Sequence, residues 1–250
     1  MIVIVDAVRT AMGGFQGSLS SCTAPDLGAV AIKEVVARAG LSANDIDEVI
    51  MGCVLPAGLK QGPARQAMRQ AGLPDSTGAT TINKICGSGM KAVMQAADAI
   101  KAGSAEIVVA GGMESMSNAP YLMEKARAGF RMGHGKVIDH MFQEGLEDAE
   151  TGLSMGILAQ EMADKKGYTR EQQDDYAIGS LNKAVTAVQQ GFFKDEIVPV
   201  TVSSRKGDVI VEQDEQPLNA KADKIPTLRP AFKKDGTITA ANASSISDGA

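Results

Sequence analysis

Along the first hundred residues the hydrophobic positions switch repeatedly between two periods. Ile2–Val5 is a short β-branched run that predicts a strand. From Pro25 to Ala39, Leu27, Val30, Ala31 and Val35 recur at helical spacing, and Gly40 supplies the stop. Ser42 and Asp45 have the pattern of a short capping box ahead of a strand at Glu48–Val54. Ala64–Ala71 reads as a helix ended by Gly72 and Pro74. A strand at Ala79–Asn83, a helix from Gly87 to Ala102 closed by Gly103, and a strand at Glu106–Ala110 follow. Strand and helix alternating at this interval predict βαβ units around a largely parallel sheet.

After Gly111-Gly112 the rhythm changes. Residues 113–152 are rich in Met, Gly and mixed charge and hold no sustained period, which predicts a long excursion from the sheet. Helices are expected at Met155–Lys166 and Arg170–Gln190, the second opened by a Thr169/Gln172 capping box and closed by Gly191. Glu196–Val202 and Val209–Glu212 predict short strands, and Pro217–Pro230 an irregular stretch. Ser247 to Ala250 fits neither a polar tail nor a helix cap, so the expectation is of a chain interrupted. There is no internal repeat and no low-complexity tract.

Composition narrows the classes. With 44% hydrophobic and 22% charged residues, 250 residues suffice for one large domain or a domain with a big insertion. The 27 glycines, 4% aromatics and absent Trp predict a core of small and aliphatic side chains, tightly layered. A net charge of −5 gives no reason to expect nucleic acid. No run approaches the roughly 18 apolar residues of a membrane helix. Met1 to Asp6 is too short, and lacks the basic lead-in, for a signal peptide. Cys22, Cys53 and Cys86 are odd in number and far apart, which suits a reducing compartment, and their spacing fits no zinc pattern. A cytoplasmic protein away from membranes is therefore expected.

Cys86 carries the most chemical information. It follows the strand candidate Thr80–Asn83 and precedes Gly87-Ser88-Gly89, where a helix is predicted to start. A thiol at a helix N-terminus meets unpaired N–H groups and the positive end of the dipole, and both favour thiolate. The glycines allow a ligand or another backbone close to the sulfur, and the N–H of Cys86 is a candidate oxyanion donor. On these residues alone, a small structural cysteine at a strand-to-helix turn is an equal alternative.

The longer string Asn83-Lys84-Ile85-Cys86-Gly87-Ser88-Gly89-Met90-Lys91-Ala92-Val93 resembles the nucleophile motif of thiolases, the acetyl-transferring members above all. Asp6-Ala7-Val8-Arg9-Thr10 with Gly13, Val109 to Ser117, Gly129 to Gly133, Arg229 to Phe232 and Thr239 to Ser244 are also similar to that family, in family order. The resemblance spans nearly the whole chain. It implies an α/β layered fold with a mixed, mostly parallel sheet and helices on both faces. Residues 1–117 and 243–250 would form the family's N-terminal domain, and 118–242 an inserted α+β loop domain. The implied reaction is condensation of two acetyl-CoA to acetoacetyl-CoA, or thiolysis of a 3-ketoacyl-CoA, through a Cys86 acyl-enzyme. Coenzyme A enters as substrate, with no permanently bound cofactor and no metal.

On the same analogy Met155 lines the pantetheine channel, Phe232 and Ala240 pack near the nucleotide end, and Ser244 hydrogen-bonds the pantetheine. Met155 and Phe232 are equally well read as ordinary core residues. Arg205, Lys206 and Lys224 are candidates to meet CoA phosphates, though nearby acids also fit a solvated face. The basic stretch Lys125–Lys136 resembles the family's assembly loop, which implies a homo-oligomer, a dimer or a tetramer; a mobile solvated excursion is its alternative. His134 and His140 invite a Cys–His dyad, but the family's base comes from elsewhere. Cys22 and Cys53 fall outside any family motif and are expected to be structural.

The family's Asn-Glu-Ala-Phe, Gly-His-Pro and Cys-Gly-Gly motifs do not occur in these residues. Ser154 stands where some relatives have a pantetheine-contacting histidine. The expectation is of a sequence lacking the family's C-terminal half-domain and the last strand of its first, incomplete for turnover by itself. A non-catalytic remnant that binds CoA or a partner subunit, and a relative of ketoacyl synthases, are the competing readings.

Overall fold

The computed structural model describes residues 1–205 and 207–250. Its elements in chain order begin with β1 (Arg9–Thr10), β2 (Gly13–Gly14), α1 (Ala24–Arg38), β3 (Glu48–Gly52), α2 (Pro63–Gln70) and β4 (Gly78–Ile82). Next come α3 (Ser88–Ala102), β5 (Val108–Gly112), β6 (Glu114–Ser115), β7 (Tyr121–Leu122) and β8 (Ile138–Asp139). The remainder holds α4 (Met155–Lys166), α5 (Arg170–Gln190), β9 (Ile197–Val198), β10 (Val200–Ser204), β11 (Gly207–Val211), α6 (Glu215–Asn219) and β12 (Ser247–Gly249).

The centre is a parallel sheet in the order β4-β3-β5. Its middle strand is apolar on both sides, as a strand covered on both faces must be. Val49 and Met51 point to one face and pack with Ala24, Ile32 and Val36 of α1 and Ala64, Ala67 and Met68 of α2. Ile50 points to the other and packs with Ala92 and Ala96 of α3. The two-residue alternation of β3 thus puts helices on both faces of one sheet.

Helix boundaries follow local chemistry. The α1 start is fixed by Thr23, whose side chain accepts from the Asp26 N–H while Asp26 accepts from the Thr23 N–H. Thr169 and Gln172 do the same for α5. Gly103, Gly167 and Gly191 close α3, α4 and α5 in left-handed conformation.

Several expectations are corrected. Ile2–Val5 forms no strand, and these side chains are exposed, because nothing described lies beside them to pair with. The predicted Glu196–Val202 strand is broken at Pro199, which has no N–H to donate, into β9 and β10. Pro217–Pro230 is not irregular: it holds the end of α6 and a 3₁₀ turn at Ala222–Thr227. Ser247–Gly249, without an expected element, is strand β12, paired antiparallel to both β2 and β6.

Long-range ion pairs tie the 190–219 region to the start of the chain. The Arg9 guanidinium donates to both oxygens of Asp214 at 2.7 and 2.9 Å, and to Glu196 at 2.7 Å. The Glu215 carboxylate accepts from the Gly14 and Ser18 N–H groups, and these bonds hold it below the usual carboxylate range.

Candidate active site

Strands β3, β4 and β5 run in parallel and end level with one another, Gly52 standing beside Ile82 on one side and Gly112 on the other. Past that edge the chain continues from β4 through Asn83-Lys84-Ile85 to Cys86, and α3 starts two residues later. The thiol therefore sits beyond the carboxyl ends of parallel strands, the position where open α/β sheets present ligands and chemistry.

Close packing holds the start of α3 there. A Cβ on Gly52 would lie 2.6 Å from Ser88 Cβ and 2.8 Å from the Gly89 nitrogen. A Cβ on Gly112 would lie 3.3 Å from Gly89 Cα. Only glycines at the ends of β3 and β5 let the first turn of α3 approach so near.

The turn itself is unusual. Ile85 has φ of +48°, a conformation that branching at Cβ disfavours. Its N–H donates to Asn83 Oδ1 at 2.9 Å, and the same side chain's Nδ2 donates to the Val54 carbonyl at 3.4 Å. The buried Ser88 hydroxyl accepts from the Lys84 N–H at 2.7 Å and donates to the Ile85 carbonyl at 2.6 Å. Gly87 and Ser88 N–H groups donate to the Lys84 and Ile85 carbonyls.

Cys86 is exposed. Its sulfur accepts and donates no hydrogen bond among the described residues. The Gly89 and Met90 N–H groups have no intramolecular acceptor among them either, so the positive end of α3 lies next to the thiol. Neither histidine bonds to it: His140 is buried, and its Nε2 accepts the Ala57 N–H at 3.4 Å.

One strand away, Cys53 follows β3 in the opposite environment. It is 1% exposed, and its Sγ donates to Glu114 Oε1 at 3.6 Å. Burial, with the Glu114 charge next, pushes the thiol up to about 12. Glu114 accepts from the Val54 and Leu55 N–H groups at 2.7 and 3.1 Å, yet burial outweighs those bonds and raises its carboxyl above the ordinary value. Cys22 is half-buried and is also raised, by burial and then by Asp26.

The candidate CoA-contacting residues fall into two groups. Met155 opens α4, half-exposed, and the Phe232 ring lies against the backbone of its neighbour Gly156. Gln160 Oε1 accepts from the Thr237 and Ile238 N–H groups, and Asn242 Nδ2 donates to Asp174 at 2.9 Å. These bonds fasten the segment carrying Phe232, Ala240 and Ser244 to α4 and α5, with Ala240 and Ser244 exposed. The cations do not join that group by any hydrogen bond or ion pair among the described residues. Arg205 follows β10, exposed, and Lys224 is exposed in the 3₁₀ turn with a 3.8 Å pair to adjacent Asp223. Lys206 lies outside the described residues.

Sequence reasoning missed the roles of Ser88, Asn83 and Glu114. Ser88 and Asn83 stand within the quoted nucleophile string, but only the backbone shows that their side chains brace the turn. Glu114 stands in the Gly-Gly-Met-Glu string, and nothing in its spacing points to Val54 and Leu55.

The carboxyl edge of a parallel sheet thus presents an exposed cysteine, on a turn packed by glycines. The chain belongs to the thiolase family: the family model "Thiolase, N-terminal domain" matches residues 2–250. The ketoacyl synthase reading gives way to that match. The chain is 51% identical to the acetyl-CoA acetyltransferase of Pseudomonas aeruginosa over 251 residues, covering 100% of this chain and 64% of the relative. It is 53% identical to the acetyl-CoA acetyltransferase of Escherichia coli over 250 residues, covering 99% of this chain and 64% of that one. The crystal structure of the Bacillus anthracis acetyl-CoA acetyltransferase superposes with a TM-score of 0.95 at 40% identity, over 99% of this chain and 63% of that one. The chain thus spans about 64% of the length of the curated relatives it matches. Among the described residues no helix is long and apolar enough to cross a membrane.

Proposed function

We propose that these residues carry the acyl-accepting half-reaction of an acetyl-CoA acetyltransferase, with Cys86 as nucleophile. The observation that supports this most is the exposed Cys86 at the β4–α3 turn, within a chain of this family. The Cys86 thiolate attacks the thioester carbonyl of acetyl-CoA. A new carbon–sulfur bond forms at Cys86, the bond to the CoA sulfur breaks, and CoA leaves as a thiolate that takes up from solvent the equivalent of the proton Cys86 released to it. N–H groups at the start of α3 stabilise the negative charge that develops on the carbonyl oxygen.

Condensation requires a second step, in which a base removes the α-proton of another acetyl-CoA and the carbanion takes the acetyl group from Cys86. No base is hydrogen-bonded to the Cys86 sulfur among the described residues, so we assign only the first step to them. Met155, Phe232, Ala240 and Ser244 flank the pantetheine in this reading, and Arg205, Lys206 and Lys224 offer charge to the phosphates. The 118–242 segment acts as the CoA-covering loop domain, and the whole enzyme as a homo-oligomer.

Intact mass of the purified chain before and after acetyl-CoA tests this. A single acetyl adduct, absent from the Cys86→Ala variant, is expected. An unmodified chain, or an adduct that survives the substitution, contradicts the proposal and favours a chain that binds CoA or a partner without chemistry.

A further inference from the structure

Ile85 is the one β-branched residue among the described non-glycine positions with positive φ, and it directly precedes Cys86. Left alone, a β-branched side chain moves such a backbone back to negative φ. That rotation would swing the next residue, Cys86, off its present direction. Something must hold the turn, and the hydrogen bonds identify it.

The Ser88 hydroxyl is placed to do so from both sides. It accepts from the Lys84 N–H, before Ile85, and donates to the carbonyl of Ile85 itself. Ser88 is 4% exposed, and its Cβ is wedged against the Gly52 backbone, so the hydroxyl cannot drift. As the first helical residue of α3, Ser88 occupies a position where its hydroxyl has no capping duty, and it caps nothing. Its proton and one of its two lone pairs are spent on the turn that carries Cys86.

We propose that Ser88 is a positioning residue for Cys86: its hydroxyl clamps Ile85 in the left-handed conformation that aims the thiol. The proposal rests on the acyl-transfer reading for its second readout only. Alkylation of Cys86 by iodoacetamide needs no CoA chemistry, so it tests the clamp even where acetylation is not seen.

The experiment pairs Ser88→Ala with Ile85→Gly, since glycine adopts positive φ freely. Ser88→Ala alone is expected to slow Cys86 alkylation and the saturating rate of Cys86 acetylation by about ten-fold, with half-saturating acetyl-CoA unchanged. Buried Cys53 should stay protected, marking an intact fold. Adding Ile85→Gly should recover both rates to within about three-fold of wild type, because the conformation no longer needs holding. A structural role for Ser88 predicts no such rescue. Should Ser88→Ala not fold, the double variant decides: folded with near-wild-type rates supports the clamp, and unfolded or slow overturns it. Wild-type rates in Ser88→Ala, or a ten-fold loss that Ile85→Gly leaves in place, also overturn it.

Discussion

Two cysteines leave the carboxyl edge of one sheet from neighbouring strands and meet opposite fates. Cys53 follows β3 directly, turns inward against Glu114 and is sealed. Cys86 is carried four residues past β4, over a turn braced by Asn83 and Ser88, and stands in solvent. The same sheet therefore makes one thiol inert and presents the other. What differs is the length of the connection and the polar partner at its end. Proximity to the carboxyl edge of a sheet does not make a thiol reactive; access and an unblocked sulfur do.

The sharpest way to break this comparison is differential labelling. At pH 8 iodoacetamide should modify exposed Cys86 more than about a hundred-fold faster than Cys53, whose thiol is both sealed from solvent and pushed up to about 12. Denaturant should bring the two rates together, read by peptide mass. Comparable rates in the folded chain would refute the difference.

Next in size is Gly52→Val, which drives side-chain atoms into Ser88 and Gly89 where even a Cβ has 2.6 Å. Thermal or denaturant unfolding should show a loss of about 3 kcal/mol, the upper range for overpacking. Cys86 labelling should change in the same variant, because the start of α3 has to move.

The smallest effect lies on the Cys53 side and concerns pH. The folded chain holds the Cys53 proton more tightly than the unfolded chain does. Stability from this group is complete below the unfolded value of 9.0 and declines as pH rises through about 12. Unfolding measured between pH 9 and 11 should show a decline of at most about 1.4 kcal/mol per unit, flattened by Cys53→Ala. A decline unaltered by that substitution would place its origin elsewhere.

Much of the helix pattern was legible because its signals are local. The helices at 155–166 and 170–190 agree with expectation to the residue, since capping residues and closing glycines mark both ends. The edge segments were not legible. Ile2–Val5 has the composition of a strand but no described partner, and Ser247–Gly249 lacks that composition yet is paired on both sides. Pairing is a long-range fact that propensity does not carry. At the site, Cys86 stood out through its motif. The Ser88 clamp did not, because a buried serine inside a glycine-rich string looks like any small residue until the φ of Ile85 is known.

The most direct test of the central claim is the location of the acetyl group after exposure of the chain to acetyl-CoA, read by tryptic peptide mass under mildly acidic conditions. The account predicts the acetyl group on the peptide from Ile85 to Lys91, with the Cys22 and Cys53 peptides unmodified. Acetyl on Cys22 or Cys53, or none on any cysteine, would contradict the assignment of Cys86 as the acyl acceptor.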